Sequence, residues 1–206
     1  MEQKMDLKQL ERKAWTSFYD DGLGDIFLGC IILTFALAPM FSRTALGDWI
    51  PVAFLPFLFL VLVLLWLLRK RVVIPRVGLV SFGRARKKRL VKFNVLMLVV
   101  LSVGFILGLL SVRGGVGQAW VHNLRFIAIV LMCFGLAAYF LGFIRLYVYG
   151  ILVALGVPVG EWLWLHKGVP HHGFPVTFGI TAGVIIVTGF VLFLRMLSKN
   201  PKSKGE

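Results

Sequence analysis

"WIPVAFLPFLFLVLVLLWLLRKRVVIPRVGLVSFGRARKKR", Trp49 to Arg89, holds the two features that decide how this chain is organised. Its first half, Trp49 to Leu68, is an unbroken apolar run with no charged side chain. Its second half carries nine of the chain's 23 Lys and Arg residues. A helix needs about 20 apolar residues to cross the hydrocarbon core of a bilayer. Backbone groups inside that core must be satisfied within the segment, so a continuous run of this length reads as a helix. A membrane β-barrel needs apolar and polar residues in alternation, and this run has none.

The same pattern recurs along the chain. Spans are predicted at Ile26–Ser42, Trp49–Leu68, Phe93–Val112, Phe126–Ile144, Leu146–Leu165 and Gly173–Leu194. Five of these six lack any charged side chain, and the fifth in order contains Glu161. Composition agrees: 59% of the 206 residues are hydrophobic and 16% are charged, with a mean hydropathy of +0.88. Soluble domains are about a quarter charged, and a soluble fold of this size would expose large apolar patches. The expected fold is therefore an all-α polytopic integral membrane protein with six transmembrane helices. It forms one membrane domain over residues 1–206: an arm (1–25), a six-span bundle (26–194) with a basic loop (69–92), and a basic tail (195–206).

The first apolar run begins behind a mixed-charge arm, farther in than a cleavable signal places its apolar region. It is expected to act as an uncleaved signal anchor. Cys30 and Cys133 both fall within spans, as small apolar residues do, and suggest neither a disulfide nor a metal pair.

Charge sets the threading. With six spans, one side receives 19 basic residues: Lys4, Lys8, Arg12 and Lys13; ten from Arg69 to Lys92; Arg145; and Arg195, Lys199, Lys202 and Lys204. The other side receives four: Arg43, Arg113, Arg125 and Lys167. Short cytoplasmic loops collect Lys and Arg. The expected location is the cell membrane, multi-pass, with both termini cytoplasmic. Trp49, Trp120, Trp162 and Trp164 fall toward the outer ends of spans and Trp15 and Trp66 toward the inner, at headgroup level.

Local pattern refines the cytoplasmic side. Leu7, Leu10, Ala14 and Phe18 recur at helical spacing with charges between them. They predict an N-terminal amphipathic helix lying in the membrane interface. In the loop between spans two and three, Pro75 disfavours helix and pushes Ile74 toward an extended backbone. Val77, Leu79, Val80 and Phe82 favour strand. A short extended or hairpin segment is expected there, followed by the cluster Arg84, Arg86, Lys87, Lys88, Arg89 and Lys92.

That cluster has three readings. It holds the loop on the cytoplasmic side; it attracts anionic headgroups, at about 1 kcal/mol per basic residue; or it flanks a docking edge for a cytoplasmic protein. Arg76, Arg84, Arg86, Lys87, Lys88 and Arg89 are the candidate lipid- or partner-binding residues. Nucleic acid is not expected, because no recognition module fits so short a loop.

Ionisable residues in or near spans are functional candidates by default. Asp25 stands at the cytoplasmic mouth of span one, where it can reach water. With Asp20 and Asp21 it forms an acidic group able to clamp the basic loop through Arg76 or Arg84. Glu161 lies in "GVPVGEWLWLH", where Gly156, Pro158 and Gly160 suggest a kinked or opened helix, as at some transport sites. His122, His166, His171 and His172 all fall on the outer side. With Glu161 they supply donor types suited to a metal or a proton sensor, but their spacing matches no helical metal signature.

Glycines four apart (Gly104 and Gly108, Gly156 and Gly160, Gly179 and Gly183) allow helices to approach closely, within one chain or in a homo-oligomer. "TFALAPMF" (34–41) and "CFGLAAYF" (133–140) faintly suggest two inverted three-span halves. No catalytic constellation or cofactor motif is present. Two function classes stay open. One is a membrane scaffold or accessory subunit whose basic loop binds a cytoplasmic partner or anionic lipid. The other is a small permease or ion-coupled transporter with its site at the fifth span. An enzyme using Glu161 and the histidines is a weaker third.

Overall fold

A computed structural model describes residues 21–41, 50–77, 84–113 and 119–200. Of the described residues, 94% are helical and none is in a strand. The elements are α1 (Leu23–Phe41), α2 (Ile50–Leu68), a π-helical turn (Arg69–Val73), α3 (Ile74–Val77), α4 (Arg84–Arg113), α5 (Ala119–Leu141), α6 (Arg145–Lys167), a 3₁₀ turn (His171–Gly173) and α7 (Phe174–Lys199). Four described stretches are long and apolar enough to cross a membrane: Leu23–Phe41, Asn123–Leu141, Arg145–Lys167 and His171–Lys199. Large apolar side chains stand exposed along the helices, among them Phe59, Leu98, Leu131 and Ile180. Water would penalise that surface and hydrocarbon does not. The N-terminal amphipathic helix and the tail beyond Asn200 lie outside the described residues.

The chain forms two compact units. One unites the described parts of Met1–Phe82 with Phe178–Glu206, and so holds α1, α2 and most of α7; the other, Gly83–Thr177, holds α4, α5 and α6. The grouping is α1, α2 and most of α7 in one unit and α4, α5 and α6 in the other, not two successive triplets.

In the first unit, small residues let α1 and α7 cross antiparallel. A Cβ on Gly29 would meet the Ala182 carbonyl and Ile186, and Gly22 and Gly189 touch backbone to backbone. Further along, the rings of Phe35 and Phe178 pack 6.5 Å apart. Gly22 has φ +73°, a left-handed conformation open to glycine at little cost. Phe41 and Phe54 meet edge to face at 6.4 Å and help hold α1 to α2. At the other end, Leu23, Val73 and Met196 form a buried cluster, with Ile26, Leu65, Phe193 and Leu197 packed on it.

The second unit is an up-down-up bundle. Gly104 receives Ile129, and Phe93 meets Phe140 at 5.7 Å, which sets α4 antiparallel to α5. Gly142, with φ +80°, ends α5 by donating its N–H to the Ala138 carbonyl at 2.8 Å, a left-handed cap. The chain reverses at once into α6, whose Gly150 packs on Phe134.

Two local expectations are corrected. Ile74 has φ −58° and ψ −45°, a helical backbone, and Ile74–Val77 is helical rather than extended. Helix carries over from α2 because the turn widens. The Ile74 N–H donates to the Arg69 carbonyl five residues back, which eases the crowding a proline ring imposes on the preceding turn. The rest of the expected extended segment, 78–83, lies outside the described residues. In α6, Pro158 sits inside an unbroken helix with Gly156, Val157 and Gly160 buried. The glycines there serve close packing and do not open the helix.

Candidate functional site

The N-terminal end of α1 begins with an acid that the helix itself recruits. The first N–H groups of a helix have no partner within it, and a carboxylate just ahead of them supplies one. Asp21 does this: its Oδ1 accepts from the Leu23 N–H at 3.1 Å. Asp21 is 2% exposed and Asp25, in the first turn of α1, 4%. Both negative charges sit where the helix dipole favours them. The structure corrects the water-reachable position expected for Asp25, which is buried.

The counter-charge comes from the π-helical turn. Arg69 Nη2 lies 3.5 Å from Asp21 Oδ2, with the Arg69 side chain about a third exposed. An acid does meet the basic loop, through Arg69, which was not among the partners expected. Arg76 is half-buried, with its Nε enclosed. Lys70 and Arg71 are exposed, and the Lys70 Nζ stands 5.2 Å above the Trp66 ring. Lys88 is exposed on the first turns of α4. The side chains of Arg84, Arg86, Lys87 and Arg89 lie outside the described residues, though their backbone is helical. Asp21 and Arg69 had usable signals. Asp-Gly ahead of an apolar run is a cap pattern, and the first basic residue past a span is the one placed to reach back along it.

At the far end of α6, the structure brings Glu161 and His172 together. His172 Nδ1 lies 3.4 and 3.5 Å from the two carboxylate oxygens, and its ring packs 4.2 Å from Trp164. His166 Nδ1 instead meets the Trp162 carbonyl of its own helix at 3.1 Å. Among the described residues, no group of three or more His, Cys, Asp or Glu stands close enough to hold a metal ion. The His122 side chain lies outside them, and His171 occupies the turn with φ +57°. Cys30 and Cys133 are free thiols.

The Glu161–His172 pair is solvent-accessible on both sides, and such pairs contribute about 0–1 kcal/mol. Glu161→Gln is therefore expected to shift the thermal midpoint by less than about 3 °C. Millimolar zinc is expected to leave the wild-type midpoint unchanged. Stabilisation by zinc that Glu161→Gln abolishes would restore a metal site here.

Comparison with protein-family models, with curated proteins and with solved structures finds no match to this chain.

Proposed function

We propose that this chain is a six-span protein of the cell membrane, both termini cytoplasmic, that serves as a membrane scaffold or accessory subunit. Its basic cytoplasmic segment engages anionic lipid headgroups. The observation that carries this reading is the length and charge of α4. It runs 30 residues from Arg84 to Arg113, about 45 Å at 1.5 Å per residue. The hydrocarbon core is only about 30 Å thick, so a spanning α4 extends well beyond it. Its surplus carries Arg84, Arg86, Lys87, Lys88, Arg89 and Lys92. At about 100° per residue these positions are spread around the whole helix axis, not along one stripe. A charged collar of that kind suits a diffuse headgroup layer better than a one-sided protein contact.

Six such residues supply several kcal/mol of surface attraction. In nanodiscs containing one-quarter anionic phospholipid, trypsin is expected to cut within Arg84–Lys92 at least about tenfold more slowly than in zwitterionic discs, a difference that high salt erases. Equal cleavage rates in the two membranes would remove the headgroup reading.

A further inference from the structure

The turn that joins α6 to α7 is wound against the natural hand of L-amino acids. His171, His172 and Gly173 follow one another with φ of +57°, +55° and +64°. Glycine takes that conformation freely, but a Cβ crowds the following carbonyl, and left-handed residues ordinarily occur singly. Two successive histidines held there store strain, which persists only where surrounding contacts enforce it. Those contacts converge on His172. A Cβ on Gly160 would meet the His172 carbonyl oxygen at 2.8 Å, and Gly160 and Gly173 touch backbone to backbone, which seats the turn on α6. The His172 ring packs against Trp164 at 4.2 Å and Phe174 at 5.9 Å. Its Nδ1 faces both carboxylate oxygens of Glu161, at 3.4 and 3.5 Å.

We propose that His172 and Glu161 form a pH-sensitive latch: charged His172 holds the left-handed turn down on α6, and neutral His172 releases it. Both Nδ1–oxygen separations exceed ordinary hydrogen-bond lengths. The contact is therefore chiefly one of charge and weakens when the imidazole loses its proton. The indole face of Trp164 also favours a cation over a neutral ring. Histidine changes charge between about pH 5 and 8, and a carboxylate stays ionised through that range. The hold is present at the acid end of the range and lost as pH rises through it. The backbone strain is the same in both protonation states, so it drives the turn open once the charge is gone. The other ionisable groups at this end cannot replace Glu161, because each is neutral or positive. His166 Nδ1 meets the Trp162 carbonyl of its own helix, Lys167 is exposed and His171 is half-buried. From Phe174 to Leu194, α7 carries no ionisable side chain. The His172 side chain is about half exposed and that of Glu161 about a quarter, so protons exchange freely. The latch reads the pH of the side on which the turn stands.

The latch stands apart from the headgroup reading, since it uses neither the basic segment nor its placement. The test uses the full chain in detergent, carrying Cys30→Ser/Cys133→Ser and one nitroxide label at Val169→Cys in the turn. Its electron paramagnetic resonance spectrum is followed from pH 5.5 to 8.5. The ratio of mobile to immobile label is expected to rise about threefold across that range, in keeping with a solvent-accessible pair. In Glu161→Gln and in His172→Gln the label is expected to be mobile throughout, with no pH dependence. His166→Gln should titrate as the parent does. His171→Gly relieves one strained residue and keeps the pair, so its label should be less mobile than the parent's at pH 8.5. A parent spectrum unchanged by pH, or a transition that survives Glu161→Gln, overturns the latch. A transition lost in His166→Gln moves the sensor to another histidine and overturns it as well. Equal mobility of His171→Gly and the parent at pH 8.5 overturns strain as the opening force. Glu161→Gln is expected to keep its thermal midpoint, so its spectrum reports the turn and not unfolding.

Discussion

Gly189→Leu is expected to destabilise the protein by about 3 kcal/mol or more, whereas Gly183→Leu on the same helix costs almost nothing. A Cβ at 189 would meet the Gly22 carbonyl oxygen and the Ile26 N–H nitrogen, each at 2.8 Å. Those are main-chain atoms at the start of α1, and they cannot rotate away. The same atom at Gly183 meets nothing within 4 Å. In a membrane, helices are held by close van der Waals contact, because lipid is as apolar as leucine. Prising α1 from α7 also pulls Leu23 from Met196 and opens the core of that unit. The measurement is the thermal midpoint and monodispersity of the two variants in one detergent. Gly189→Leu should fall by about 10 °C or run as aggregate. Equal midpoints would mean that α1 and α7 do not cross at these glycines.

Asp21→Ala is expected to cost about 2–3 kcal/mol, through two losses of different kind. The Leu23 N–H loses its acceptor, worth about 1 kcal/mol for a helix cap. Arg69 loses its counter-charge at a partly enclosed position, although its exposed portion re-solvates and limits the penalty. Asp21→Asn separates the two. It keeps an acceptor oxygen and loses the charge, so it should recover about half of the loss. Midpoints measured for both variants and for Arg69→Gln decide the matter. If Asp21→Asn is as damaging as Asp21→Ala, the cap contributes nothing and the ion pair carries the whole effect.

The helices were legible in the sequence because hydrocarbon leaves the backbone few alternatives. The apolar run ending at Leu68 marks the end of α2 to the residue, and the run from Leu146 begins one residue inside α6. Relations between distant residues were not legible. Asp25 is buried and Val73 and Met196 meet Leu23 from distant parts of the chain, and no local pattern announces either. Glycine spacing showed which helices can be approached, not where. The four-apart pairs split: Gly104 and Gly160 are closely approached and Gly179 and Gly183 face open space, while the α1–α7 crossing uses Gly22, Gly29 and Gly189, which belong to no such pair. The expectation at Pro75 failed for a related reason. Preference against helix before proline is a local tendency, and a helix already propagating through nineteen residues of α2 overrides it by widening one turn. The histidines illustrate the same limit: four on one predicted side suggested a cluster, and among the described residues the structure brings His172 to Glu161 and turns His166 to its own helix.

The threading of the chain is the claim on which the proposed headgroup collar depends. Single cysteines introduced into a Cys30→Ser/Cys133→Ser background, labelled in intact cells with a membrane-impermeant maleimide, test it most directly. Arg43→Cys, Gly117→Cys and Lys167→Cys should label from outside. Lys8→Cys, Lys88→Cys and Lys202→Cys should label only after the membrane is opened. External labelling of Lys88→Cys would place the basic collar on the wrong face and contradict the account.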